Sequence, residues 1–207
     1  MQRFSGLQLK SVSINTVVQF LLRLATSIPT LIATILIAYY AGYETLGSFT
    51  KIVSFVSIFY LIVDFGLNSV FLKKHFDNTE RYFGNLILLR LLFSFTLIPI
   101  VAILAYLLPE NKIAGTGFLD FEKYGIVIFS LTIITTGLNI SMQAFLQKRL
   151  SYYVSLPPTL LSSAVLLFFI IVASLRHDLN LLLFSYIASG VVLALSLLIV
   201  IKKKNTN

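Results

Sequence analysis

Four charged side chains fall inside long apolar segments of this chain: Arg23, Asp64 and Arg90, together with Lys51. A charge at membrane depth costs at least about 2.5–3.5 kcal/mol on insertion scales, so such residues rarely face lipid. Guanidinium groups bind phosphate in a bidentate fork, which makes the two arginines candidates for capturing an anion. Asp64 can neutralise one of them, and the other is then surplus. Asp64 lies nine residues before Lys73 and Arg90 nine residues after Arg81. At 1.5 Å per residue, both sit roughly 13 Å in from the same edge of the bilayer. Arg23 lies level with them or somewhat deeper, so the three are expected to meet in one half of a helical bundle.

Neutral polar residues accompany these charges at helical spacing. Asn15, Gln19, Arg23, Thr26, Thr30 and Thr34 recur every three or four residues, which puts them on one helix face. Lys51, Ser54, Ser57, Tyr60, Asp64 and Asn68 repeat the pattern, as do Thr132, Thr136, Asn139, Gln143 and Gln147. Asn15, Gln19, Asn139 and Gln143 offer neutral hydrogen bonds beside the charges. Lys51 sits near the other end of its segment and reads equally well as a snorkelling side chain. The Ser and Thr residues after Tyr152, with Tyr186, read as helix-packing residues.

The elements that must position these groups are six apolar segments, roughly Asn15–Ala41, Thr45–Val70, Gly84–Leu108, Tyr124–Leu146, Tyr152–Ser174 and Leu179–Ile201. Each is long enough to cross a hydrocarbon core of about 30 Å as an α-helix. Backbone groups in lipid must be satisfied within the segment, so helices rather than strands are expected. The fold expected is all-α: a polytopic bundle of six transmembrane helices in one unit spanning residues 1–207. Of the 207 residues, 57% are hydrophobic and 12% charged, and mean hydropathy is +0.92, which excludes a soluble domain. Cys is absent, so there is no disulfide framework, thiol nucleophile or Cys-ligated metal.

The net charge of +8 is not a nucleic-acid footprint, because its distribution is topological. Arg3, Lys10, Lys73, Lys74, Arg81, Lys148, Arg149 and Lys202–Lys204 fall on one side. Lys112, Lys123 and Arg176 fall on the other, beside Glu110, Asp120, Glu122 and Asp178. The positive-inside rule places both termini in the cytoplasm. Pro29 and Pro99 lie within spans as candidate kinks, and Pro157-Pro158 lie in the first turns of span five.

Short motifs resemble a known family. YAGYETLGSFT over Tyr40–Thr50 is similar to the outer loop and span-two start of oligosaccharide-lipid flippases. DFGLN over Asp64–Asn68 resembles their DFGLS-like motif, and QAFLQKRLSYY over Gln143–Tyr153 their span-four exit. A basic residue in span one and an Arg early in span three, here Arg23 and Arg90, also recur. The chain thus resembles the N-terminal six-span half of Wzx-type flippases of the multidrug/oligosaccharidyl-lipid/polysaccharide exporter superfamily. The resemblance implies flipping of undecaprenyl-diphosphate-linked oligosaccharides across the bacterial cytoplasmic membrane by alternating access around a cationic cavity between two lobes. The partner would be a second six-span lobe or a second copy of the chain.

Within that resemblance Arg23 and Arg90 attract the diphosphate and charged sugars, and Asp64 holds an arginine or exchanges partners. No enzyme activity, metal or cofactor is implied beyond a coupling H+ or Na+. An ion-coupled drug or small-solute exporter, with Asp64 as coupling site, fits the same residues. So does a non-transporting scaffold of polysaccharide assembly, which predicts that Arg23 and Arg90 tolerate substitution. A membrane-embedded glycosyltransferase or acyltransferase would need His177–Asp178, a pair that reads as a solvated turn.

Overall fold

The computed structural model describes the backbone of residues 6–73, 79–108, 117–149 and 151–206, and side chains from residue 16 to residue 203 within those ranges. Its elements among these residues are all helical. α1 (Gly6–Leu36) ends in a π-helical turn over Ile37–Ala41, followed by α2 (Tyr43–Asp64) and α3 (Leu67–Lys73). α4 (Thr79–Leu107), α5 (Asp120–Ser130) and α6 (Thr132–Lys148) follow. A 3-10 turn over Tyr152–Ser155 leads into α7 (Leu156–Arg176), and α8 (Leu179–Thr206) closes the sequence.

These elements make six rods long and apolar enough to cross a membrane among the described residues: Thr16–Ala41, Tyr43–Lys73, Thr79–Leu107, Asp120–Lys148, Tyr152–Arg176 and Leu179–Lys203. All six expected spans are present, with ends displaced by a few residues. The largest displacement is at span three, which starts at Thr79 rather than Gly84. Polar residues there continue the helix beyond its apolar window, and Glu80 in the first turn suits the positive end of the helix dipole. The helix also continues through Pro29 in α1 and Pro99 in α4.

Two spans are each built from two helices. Span two breaks at Phe65 (φ 30°) and Gly66 (φ 73°), both left-handed. The Phe65 N–H still donates to Leu61 O, and the Val70 N–H restarts the ladder on Gly66 O. Span four is jointed at Leu131, whose N–H reaches back only three residues to Ile128 O. The DFGLN segment is therefore not a continuous stretch of helix but its interruption.

Span four is the centre of the bundle: 56% of its apolar window is buried, against 17% for span one. Small residues permit this. A Cβ on Gly190 of α8 would lie 2.6 Å from Thr135 Oγ1 of α6, so only glycine lets those helices approach so closely. Buried side chains form two apolar clusters. One includes Ile52, Val56, Ile126, Phe129, Ile133 and Leu182, and the other Phe71, Leu86, Met142, Phe145 and Leu197. α4 turns Leu88, Leu92, Phe95 and Ile103 outward, as a lipid-facing helix does. α1 differs: it packs mainly on α7, and Arg23, Thr26, Ser27, Thr30 and Thr34 on it are exposed.

Candidate functional site

Arg23, Asp64 and Arg90 do not share one site. Arg90 projects from α4 into the bundle and is 1% exposed. Its Nη2 lies 2.6 Å from Asp64 Oδ1 and donates to Asn68 Oδ1 at 2.9 Å. Its Nη1 donates to Ser141 Oγ at 2.8 Å. The break in span two puts Asp64 at the end of α2 and Asn68 in α3, so two oxygens on either side of it close on one guanidinium. Its Nε finds no acceptor among the described residues. The expected Arg–Asp pair is thus formed, and it belongs to Arg90.

That pairing revises the expectation for Arg90 as an anion-binding residue. A guanidinium enclosed by a carboxylate, an amide and a hydroxyl offers no open fork, and Arg90 lines neither of the two cavities found beside α1. The arrangement is a charge-compensated joint between α4, α6 and the broken span two.

Arg23 is the surplus cation. It stands exposed on α1 at the wall of a cavity of about 310 Å³. Gln19 and Thr26 of α1, Gln143 and Gln147 of α6, Tyr152 of the 3-10 turn and Thr159 of α7 complete the polar part of its lining. The Tyr152 hydroxyl donates to Gln143 Oε1 at 3.2 Å. Among the described residues no carboxylate lies within ion-pairing distance of Arg23. Gln19 and Arg23 of α1 and Gln143 of α6, from two separate polar stripes, therefore line one cavity. The side chain of Asn15 lies outside the described residues.

Asn139 belongs to a second cavity, of about 260 Å³, between α1, α2, α6, α7 and α8. Thr26 and Thr159 line both cavities, so they are contiguous. Thr26 also joins Ser27, Thr30 and Thr34 along a shallow groove on the outside of α1. From Gln19 to Thr34 this polar track extends about 22 Å along the helix. The residues of α7 and α8 that sequence reasoning assigned to packing, Ser162, Ser163, Tyr186 and Ser189, line this second cavity. The packing reading holds for the serines, since Ser162 bonds Ser189 across α7 and α8 and Ser163 donates to Ala25 O of α1; their place in a cavity wall carried no signal, because they bear no charge and follow no long stripe.

Lys51 ends on a carboxylate. Its Nζ lies 2.8 Å from Glu122 Oε2 and 5.2 Å from the centre of the Phe118 ring. Glu122 is 3% exposed and also accepts from the Leu119 N–H at 2.9 Å. This second ion pair joins α2 to the start of α5 at the end of the bundle away from Arg90. The sequence signal was present, since Glu122 is an acidic residue in the loop facing Lys51, but the loop assignment hid it. Asp178 caps the start of α8 by accepting from the Asn180 and Leu181 N–H groups. That gives the His177–Asp178 turn a structural purpose.

Among the described residues no three His, Asp or Glu side chains gather where they would hold a metal. The chemistry on offer is recognition: an open guanidinium beside three glutamines, continuous with a wall of hydroxyls. Comparison of the chain with family models, curated proteins and solved structures finds no match.

Proposed function

We propose that this protein moves a lipid-linked oligosaccharide across the bacterial cytoplasmic membrane, working as one lobe of a Wzx-type flippase beside a second lobe or a second copy. The observation that carries the reading is Arg23: a guanidinium that meets no carboxylate among the described residues, exposed inside a spanning segment and opening into a polar cavity. A lone cation facing lipid is costly, whereas one that opens into a polar cavity can stay solvated there until an anion binds. A phosphate group on a polyprenyl carrier has the charge to meet it and a tail that stays in lipid.

The excess of Lys and Arg around the ends of spans two and four and at both termini supports a cytoplasmic placement of that end. Arg23 then lies on the side from which such a carrier is loaded. Gln19, Gln143 and Gln147 supply neutral hydrogen bonds beside the anion. Arg90 and Asp64 hold the lobe together rather than touch cargo. An exporter using Asp64 as its coupling carboxylate is less well supported, because that carboxylate already answers Arg90.

Arg23→Gln in cells whose surface polysaccharide depends on this chain is the test. Export is expected to fall at least about tenfold, the order expected for losing a charge-assisted contact. Protein in the membrane fraction should stay at the wild-type level. Wild-type surface polysaccharide in that variant would refute the assignment.

A further inference from the structure

The second cavity has a chemical bias that its composition conceals. Its sixteen wall residues, Thr136 of α6 among them, include no charged one, and most of the hydroxyls have already used their protons. Thr26 donates to Leu22 O and Arg23 O, Thr30 to Thr26 O and Thr135 to Thr132 O. Thr159 donates to Ser155 O. Ser162 and Ser189 spend their protons on each other, through the backbone carbonyls and a 2.8 Å hydroxyl contact. Thr132 donates to Phe129 O, so in its 2.6 Å contact with Tyr60 the phenol is the donor. A hydroxyl that has spent its proton presents lone pairs only.

Asn139 adds to this bias. Its Nδ2 donates to Gly190 O at 3.1 Å, while its buried Oδ1 meets no donor among the described residues. The wall is therefore rich in acceptors and poor in donors. An anionic group placed there would be desolvated against lone pairs and gain little in return. A group rich in O–H donors would meet acceptors without displacing an existing bond.

We infer that the two contiguous cavities sort one cargo by charge: the anion is held at Arg23, and the moiety next to it is an uncharged, hydroxyl-rich sugar accommodated against Asn139 and the spent hydroxyls. This rests on the lipid-linked oligosaccharide reading and narrows it to cargo whose carrier-proximal sugar is neutral. A proximal uronic acid is disfavoured, because the second arginine that would answer its carboxylate is enclosed by Asp64, Asn68 and Ser141.

Equilibrium binding to the full 207-residue chain in lipid nanodiscs decides the matter, with three radiolabelled probes. These are a polyprenyl diphosphate, the same lipid bearing one neutral hexose, and the same lipid bearing one hexuronic acid. The neutral hexose is expected to raise affinity about tenfold over the bare lipid, and the hexuronic acid to raise it not at all. In Asn139→Leu and, separately, in the near-isosteric Thr136→Val, the ratio of hexose-lipid to bare-lipid affinity should fall towards one. The ratio is read within each variant that retains the wild-type unfolding midpoint, and Thr136→Val serves if Asn139→Leu does not. Equal binding of hexose and bare lipids to the wild type, or tighter binding of the hexuronate, overturns the inference and leaves the flippase reading standing. Failure of the wild type to bind even the bare diphosphate lipid overturns both.

Discussion

At the scale of single residues, two arginines of the same type inside the same bundle have opposite situations. Arg90 is enclosed and paired, whereas Arg23 is open and among the described residues meets no carboxylate. Removing one partner of a buried pair leaves the other charge uncompensated, at a cost of about 3–5 kcal/mol. Asp64→Leu is therefore expected to lower the thermal unfolding midpoint in detergent sharply. The double variant Asp64→Leu with Arg90→Leu should be less destabilised than the sum of the two single variants, because nothing charged is left behind. A double-mutant cycle measures that coupling, and strict additivity would show that the 2.6 Å contact is energetically idle. Arg23→Gln should stay within about 0.5 kcal/mol of the wild type, as surface substitutions do. Loss of the guanidinium thus separates a stabilising arginine from one held ready for a ligand.

At the scale of elements, the spans were legible because length and hydropathy are properties of the chain itself, and a bilayer admits few other solutions for them. What places the polar groups was less legible. The break at Phe65–Gly66 was hidden because Phe65 is a non-glycine residue in a left-handed conformation, which single-residue preferences argue against. The α7 and α8 wall of the second cavity was read as packing because Ser and Thr look alike whether they bond a helix or line a void. Ser141 as a partner of Arg90 and Glu122 as a partner of Lys51 depended on which helices become neighbours. That choice is settled by close approaches such as Gly190 against Thr135. Gly190→Ala would put a Cβ 2.6 Å from Thr135 Oγ1 and 3.0 Å from its Cβ, an overpacking expected to cost about 1–3 kcal/mol. Gly47→Ala in α2 meets nothing within 4 Å and should leave the unfolding midpoint unchanged or raise it. Equal midpoints for the two variants would mean that α6 and α8 do not meet as closely as described.

At the scale of the whole molecule, the bundle has two kinds of outer surface. The α4 side presents Leu88, Leu92, Phe95 and Ile103, which need only acyl chains around them. The α1 side presents Arg23, Thr26, Ser27, Thr30 and Thr34 along the groove that joins the cavities. The threonine protons at 26, 30 and 34 are bonded to carbonyls one turn back, yet the oxygens and the guanidinium remain polar. Surrounding that stripe with hydrocarbon would leave the guanidinium unsolvated, so this face is argued to border water or another polar protein surface. The absence of Cys makes the argument open to direct measurement, since any introduced thiol is the only one present. Thr30→Cys in native membranes is expected to react rapidly with a membrane-impermeant maleimide. Leu92→Cys, at a comparable place within its span on the apolar side, is expected to remain unlabelled until the membrane is dissolved in detergent. Protection of both positions alike would place the α1 stripe against lipid, and the open cavity at Arg23 would then have no aqueous route by which a polar headgroup could enter it. Labelling at Thr30 that is blocked by added polyprenyl diphosphate would tie the groove to the Arg23 cavity, because the two share Thr26.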